Sequence, residues 1–419
     1  MLHSYEKILL MKQQDTEKQE TIDITDFLVE LDYLDFVMGS NDRTYEGWHS
    51  FTSRIRPTDL LEQIFRKCTA SLFDINRHEN ELSVVLTDFD VDGEGKIIKR
   101  RGKKLRKYLE YEATPETEEM ARGLKFYNKL LARTYIDVAT LDKPYVVRET
   151  KKGPQRLSIN QNNKFARRIF SRGKWHYNGR FYGGWWQQIG EDYRKYILID
   201  DKPTVEIDYK GIHPTILSIN KGKPFNGYEI EIPNEEQKVR EELRKATKFL
   251  VLTAINAASK EKAFKAFRSN YPIKFKDSEL QALLRQFVDL NPNLEEDLCT
   301  DKGISLMNID SKIAKYVIDK FTEQNVTILT VHDSFIIQTD QQTNLKRYMK
   351  EATLEVLGTC IDFEQDYVTL NTRDKDKLNV IKVKNSKNLA GDKEVVEITH
   401  RYLTTYKKFK LWKENNNMN

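Results

Sequence analysis

Hydrophobic positions along this chain change period several times. Around Ile22 to Val37 and Asp59 to Phe73 they recur at helical spacing, whereas Glu81 to Phe89 alternates, so residues 1–110 predict a mixed unit of helices and a strand. Pro115 to Leu131 returns to helical spacing, with Thr114 as its N-cap and the proline at the first helical position, where a missing N–H costs nothing. Thr204 to Tyr209 alternates as a strand that ends on Asp208, and Lys210 to Pro214 turns into a short helix over Thr215 to Asn220. Glu235 to Ala258 is the longest helical stretch, and Asp310 to Glu323 and Gln341 to Leu357 predict two more. Thr327 to Val331 and Phe335 to Ile337 are too short for helices and rich in β-branched or aromatic residues. They predict two buried strands joined by a tight turn. From Asn371 onward the pattern breaks into lysine-rich patches, with an aromatic and basic segment at Tyr402 to Lys413 and an Asn-rich end expected to fray.

The turn between those two strands carries His332, Asp333 and Ser334. A carboxylate amid so much apolar surface loses hydration on burial and needs a hydrogen-bond partner, a cation or a metal ion. Asp208 ends the other strand, so the two aspartates can lie side by side in one sheet. Two divalent ions about 3.5–4 Å apart require such a pair when they activate an attacking oxygen and neutralise a leaving pyrophosphate.

Charge adds detail to this picture. The 419 residues, 39% apolar, suffice for two or three compact units. A net charge of +5 permits a polyanionic partner, but 64 acids among 69 bases make distribution more informative than the sum. Lys99, Arg100, Arg101, Lys103 and Lys104 open a run with seven cations in nine residues, a candidate track for a phosphate backbone or a solvated face. Lys164 to Arg180 interleaves bases with Phe165, Phe170, Trp175 and Tyr177, which suits phosphate contacts beside stacking. Trp185 and Trp186 are read first as core. Arg244 and Lys248 stand one above the other on the longest helix, and two stacked cations make a triphosphate a natural partner.

Other chemistry is disfavoured. Asp88, Asp90, Asp92 and Gly93 resemble the start of a calcium loop, but Gly95 and Lys99 break the pattern, so a hairpin turn at Asp92 and Gly93 is expected. Cys68, Cys299 and Cys360 are too scattered for a zinc site or a disulfide framework. No signal-peptide pattern and no apolar run near the roughly 20 residues of a membrane span occur. The expectation is a protein without a membrane partner, in the cytoplasm of a bacterial or phage-infected cell.

The order of these motifs resembles that of the family A DNA polymerases and their relatives, the phage-type single-subunit RNA polymerases. Gly179-Arg180, Gln187-Gln188-Ile189, Arg194, Asp208-Tyr209, Arg244 with Lys248, and His332-Asp333 follow one another as the superfamily's elements do. Weaker echoes lie at Leu131 to Asp137 and Asp310 to Ile313, and the likeness covers roughly residues 130–360. It implies an α+β right-hand fold with an antiparallel palm sheet, reduced helical fingers and thumb, and an N-terminal mixed extension. The units would be residues 1–110, a thumb-like connecting segment at 111–175, a palm and fingers core at 176–370, and a basic segment at 371–419.

The resemblance also implies roles. Asp208 and Asp333, with a backbone carbonyl near Tyr209, would hold two Mg²⁺ ions, with Mn²⁺ as the alternative. Lys248 would join them in catalysis; Arg244, Lys248, Tyr209, His213 and Asn256 would meet the nucleotide; Arg180, Gln187, Gln188, Arg194 and His332 would touch primer-template. The departures are informative. His213 stands where the DNA enzymes place a glutamate against the ribose 2′-OH, Ser334 follows the RNA enzymes, Leu252 and Asn256 replace the base-stacking aromatic, and no proofreading exonuclease is present. The leading expectation is a nucleotidyltransferase, a DNA-dependent DNA polymerase of a phage or mobile element that uses dNTPs on primer-template. A helicase or other replication proteins would be further partners. A primase or RNA polymerase using NTPs is the alternative, and a nucleic-acid-binding protein on a decayed scaffold is the reading from another class.

Overall fold

The computed structural model describes residues 16–39, 41–42, 49–50, 53–68, 71–74, 81–100, 103–150, 153–229, 237–371, 374, 376–383 and 393–416. The chain divides into two compact units, Met1–His78 with Phe89–Glu110 and Glu79–Asp88 with Tyr111–Asn419. The second runs through the positions 175 and 370 expected as boundaries.

In the first unit, helix α1 (Thr16–Glu30) stops before Asp32, which takes the left-handed φ of 57°. The apolar positions expected to extend this helix to Val37 instead form strand β1 (Leu34–Val37), paired antiparallel with β2 (Arg54–Pro57). Helix α2 (Asp59–Lys67) opens on the Thr58 hydroxyl, which accepts the Leu61 N–H, and ends where Cys68 turns extended, short of the expected Phe73. At the acidic turn, Asp92 Oδ1 accepts the N–H groups of Glu94 and Lys96 at 3.0 and 2.9 Å, so this carboxylate builds a hairpin turn.

The second unit begins with β3 (Val84–Phe89), α3 (Pro115–Arg133), β4 (Ile136–Val138), β5 (Arg167–Ser171) and β6 (Lys174–Tyr182). There follow β7 (Ile197–Ile199), β8 (Lys202–Tyr209), α4 (Ile212–Asn220), α5 (Gln237–Asn256), α6 (Asp277–Leu290) and α7 (Gly303–Thr322). The chain closes with β9 (Ile328–Val331), β10 (Ser334–Gln338), α8 (Gln342–Leu357), β11 (Phe363–Asn371), β12 (Lys377–Lys382), β13 (Lys393–Glu397) and α9 (His400–Asn415). The central sheet has the order β9-β10-β8-β11-β12-β13, every pair antiparallel, and β7 links β8 to β4. No helix among the described residues is long and apolar enough to cross a membrane.

Period-two alternation explains why β8 sits where it does. Val205, Ile207 and Tyr209 are buried on one face, with the Tyr209 hydroxyl donating to the Met349 carbonyl of α8 at 2.6 Å. Glu206 and Asp208 therefore lie on the other face. A one-residue slip would expose Val205 and Ile207, at roughly 1.5–3 kcal/mol per aliphatic side chain, so the core holds the register.

Helix α7 starts at Gly303, seven residues before the expected Asp310. Its buried stripe of Leu306, Asp310, Ile313, Val317 and Phe321 already begins ahead of the polar Asn308 and Asp310 that hid it. The helix packs on β6, where Asn308 Nδ2 donates to the carbonyls of Trp175 and Asn178. Gly179 lies in this contact with φ of 90°, and a Cβ there would come within 2.7 Å of the Phe170 ring. Trp185 and Trp186 are core residues, 2% and 1% exposed.

The described residues after Asn371 form β12, β13 and α9, while residues 417–419 of the Asn-rich end lie outside the described residues. Tyr402 and Phe409 of α9 are buried against Tyr135 with ring centroids 5.4 Å away in each case. Arg401 grips Asp137 through both arms, Nη1 to Oδ2 at 2.8 Å and Nη2 to Oδ1 at 2.9 Å. Asp137 is 2% exposed, so Arg401→Ala leaves a buried carboxylate with only the neutral donors Tyr135 and Val138 and should cost about 3–5 kcal/mol in urea denaturation. Arg401→Lys should recover only part, because an ammonium cannot make the two parallel bonds.

Candidate active site

Strands β9 and β10 pair Val331 with Ser334, so the hairpin loop is the two residues His332 and Asp333. His332 takes φ of 62°, at a loop position that glycine usually occupies. A left-handed non-glycine residue costs about 1–2 kcal/mol, and such strain collects at functional sites. The ring lies edge-on to Tyr182 at 5.6 Å, and its Nδ1 is buried without a hydrogen-bond partner. Burial first, then the Arg180 charge, lowers the pKa of His332, with Asp333 and Asp310 opposing. A neutral imidazole results near pH 7.

Asp208 lies in register with Ser334 on one side and Glu364 of β11 on the other. Its Oδ1 is shielded from water and has no hydrogen-bond partner among the described residues. Burial, and next the Asp333 charge, push the Asp208 carboxyl well above the usual range; Lys248 opposes, while Glu364 and Glu206 add to the rise. The fold thus sets Asp208, at the end of its strand, level with the hairpin loop that carries Asp333, close enough for the two charges to interact. Among the described residues no three His, Cys, Asp or Glu side chains gather into a metal cage. A site of two carboxylates suits a hard cation that takes its other ligands from water and phosphate oxygens. The orphaned Asp208 oxygen fits that use, because a buried polar atom left unpaired calls for a partner.

The cations expected beside these acids come from α5. Lys248 Nζ is 3.8 Å from Glu364 Oε1, and Arg244 Nε is 2.9 Å from Glu229 Oε1. Each of the stacked pair thus already faces a carboxylate. Asn256, two turns beyond Lys248, is exposed and donates to the Leu252 carbonyl at 2.7 Å. The Tyr209 ring is buried on the far side of the sheet, so the expected nucleotide contact by this side chain is corrected; only its backbone remains on the site's strand.

The duplex-contact candidates are engaged within the protein. Arg180, 12% exposed, holds Asp310 through Nε at 2.9 and 3.0 Å and through Nη2, while His213 Nε2 lies 2.8 Å from Asp310 Oδ2. His213 is itself buried, so its imidazole is a partner of Asp310. Gln187 donates to the carbonyls of Phe181 and Thr330 and accepts the Gly183 N–H, tying β6 to β9, whereas Gln188 is exposed. Arg194 Nε donates to Glu206 Oε2 at 2.9 Å, and the Ser334 hydroxyl donates to Glu206 Oε1 at 2.7 Å. In the first unit, Lys99 pairs with Lys104 and Arg100 with Lys103 across a short hairpin, and Lys104 Nζ sits 4.6 Å from the Phe89 ring centre. Arg101 lies outside the described residues.

Sequence reasoning missed Glu206, Glu364, Tyr228 and Glu229. Glu206, two positions before Asp208, shares its strand face and was findable by alternation. The others reach the site only through tertiary contacts.

No family model and no curated protein matches the chain. Among solved structures, the POL domain of Pol1 from M. smegmatis in complex with DNA primer-template and dNTP aligns with a TM-score of 0.30 and 11% identity. The alignment covers 60% of this chain and 51% of that one, so the chain matches about half the length of that domain. A superposition at this level decides neither fold nor activity, and the site's own geometry must carry the reading.

The raised pKa of Asp208 has a measurable sign. The folded protein keeps a proton that the unfolded chain releases near pH 3.9, so stability falls as pH rises from there through the folded pKa. In metal-free buffer, Asp208→Asn should be more stable than wild type at pH 7 by about 1–3 kcal/mol, with the gap closing toward pH 4 in chemical denaturation.

Proposed function

We propose that this chain is a template-directed nucleic-acid polymerase that extends a primer by nucleotidyl transfer. The observation that carries the reading is the paired Asp208 and Asp333, one with an orphaned oxygen, beside the Lys248 and Arg244 cations of α5. In this reading the antiparallel sheet is the palm, α5 belongs to reduced fingers, and the long helix α3 belongs to the thumb side.

Asp208 and Asp333, with a backbone carbonyl near Tyr209, would hold two Mg²⁺ ions, or Mn²⁺ in their place. When bound, these lower the pKa of the primer 3′-OH and neutralise charge on the leaving pyrophosphate. Arg244 and Lys248 take the β and γ phosphates by exchanging their carboxylate partners. Exposed pairs of this kind are worth about 0–1 kcal/mol, so a polyanion displaces them readily. Lys248, nearest the aspartates, gives its charge or a proton to the leaving group. His332, neutral and strained, positions the primer-terminal phosphate and is not a base. Arg180, Gln187 and Arg194 keep the palm surface in shape for the duplex end, and the basic hairpin of Lys99, Arg100, Lys103 and Lys104 tracks a phosphate backbone.

Extension of a labelled primer on a defined template, with dNTPs and NTPs in separate reactions and Mg²⁺ supplied, tests the whole scheme. Wild type should extend, and chelation should stop it. Asp208→Ala and Asp333→Asn should each lower turnover by at least about a hundred-fold while primer binding persists. Lys248→Ala should raise the nucleotide KM and lower kcat. Appreciable turnover by either aspartate variant refutes the metal assignment; duplex binding without any extension leaves a nucleic-acid-binding protein.

A further inference from the structure

One buried group beside the site has no role in the scheme above. Tyr228, in the segment between α4 and α5, is 4% exposed, and its hydroxyl has no hydrogen-bond partner among the described residues. Its ring cannot drift. Phe225 meets it edge-on at 5.1 Å, Phe287 of α6 stacks at 5.9 Å, and Asn291 pins the local backbone through the Asn226 N–H at 2.9 Å and the Gly227 carbonyl at 3.1 Å. An unsatisfied phenol in so fixed a place is costly, and a buried tyrosine usually finds a partner.

The hydroxyl points toward the start of α4. A Cβ on Gly211, the N-cap of this nine-residue helix, would lie 3.1 Å from the Tyr228 oxygen, and Gly211 takes φ of 51°, which favours glycine. No side chain caps the helix, and because Pro214 brings no N–H its first turn leaves the Ile212 and His213 N–H groups at this end, where the helix dipole favours an anion. Burial pushes the phenol pKa up, and the charges it feels are Arg244, then Asp333, Glu364 and Asp208. The phenol therefore keeps its proton, and the next residue in the chain, Glu229, holds Arg244 of the cationic helix at 2.9 Å. A neutral hydroxyl is a donor to an anion, whereas a hard cation seeks carboxylate and phosphate oxygens.

We propose that Tyr228 contacts the substrate directly, donating its hydroxyl to a non-bridging oxygen of the triphosphate that Arg244 and Lys248 bind, at the uncapped start of α4. The proposal rests on the polymerase reading and adds to it a residue that none of the sequence motifs contains.

Tyr228→Phe keeps the ring and deletes only the oxygen. Three measurements on the full chain decide the matter: thermal melting without ligand, calorimetric titration with inorganic tripolyphosphate and Mg²⁺, and nucleotide KM and kcat in primer extension. The expected result is a melting temperature equal to or above wild type, tripolyphosphate binding weaker by about tenfold, the loss of one hydrogen bond to a charged group, and a KM increase larger than the fall in kcat. A lower melting temperature with unchanged binding would mean that the hydroxyl serves the fold, which overturns the proposal. Binding within twofold of wild type, while Arg244→Ala loses it, overturns the Tyr228 contact and leaves the polymerase reading standing. If wild type neither binds tripolyphosphate nor extends a primer, the polymerase reading fails and the contact falls with it.

Discussion

The site depends on the register of one strand. Strand β8 is held by the burial of Val205, Ile207 and Tyr209, and that burial turns Asp208 to the opposite face, level with the His332–Asp333 hairpin. Apolar packing thus forces two carboxylates together against their mutual repulsion. Burial first, and the Asp333 charge next, push the Asp208 carboxyl well above the usual range. Core packing therefore fixes where these carboxylates stand through the register of a single strand.

Around this conflict lie two braces. Asp310 gathers Arg180 and His213 beneath the hairpin side of the site, and Glu206 gathers Arg194 and Ser334 along β8. Both are charge-assisted and mostly shielded, which makes them stiff. The cations of α5 are held differently. Their ion pairs are partly open to solvent, and one contact is 3.8 Å long. The α9 helix contributes at a distance, because Arg401 and the Tyr135 ring cluster clamp β4, which continues through β7 into β8.

The alternation at Thr204 to Tyr209, the paired short runs around His332 and Asp333, the capped helix at Pro115 and the spacing of Arg244 and Lys248 were legible in the sequence, because each is a local period or a local turn chemistry. The helix expected over Ile22 to Val37 was misread, since Asp32 breaks it by adopting a backbone conformation that no propensity announces. The early start of α7 and the docking of α9 were hidden by polar residues whose partners, Trp175 and Asp137, lie more than a hundred positions away. The Tyr209 ring was placed in the site by its neighbour's role, yet one step along a strand reverses the face.

By itself the sequence determined which residues could carry the chemistry: two strand-borne aspartates, a cationic helix and a hairpin tip, all set by periods of two and 3.6 residues. Tertiary structure alone decided which of them meet. Arg180, His213 and Arg194 became braces, Glu364 and Glu229 became the partners of the α5 cations, and Tyr228 arrived with an empty hydroxyl. The physical reason is range. Backbone periodicity is set by neighbours a few residues apart, whereas pairing, desolvation and proton affinity depend on groups that only the folded core brings within a few ångströms.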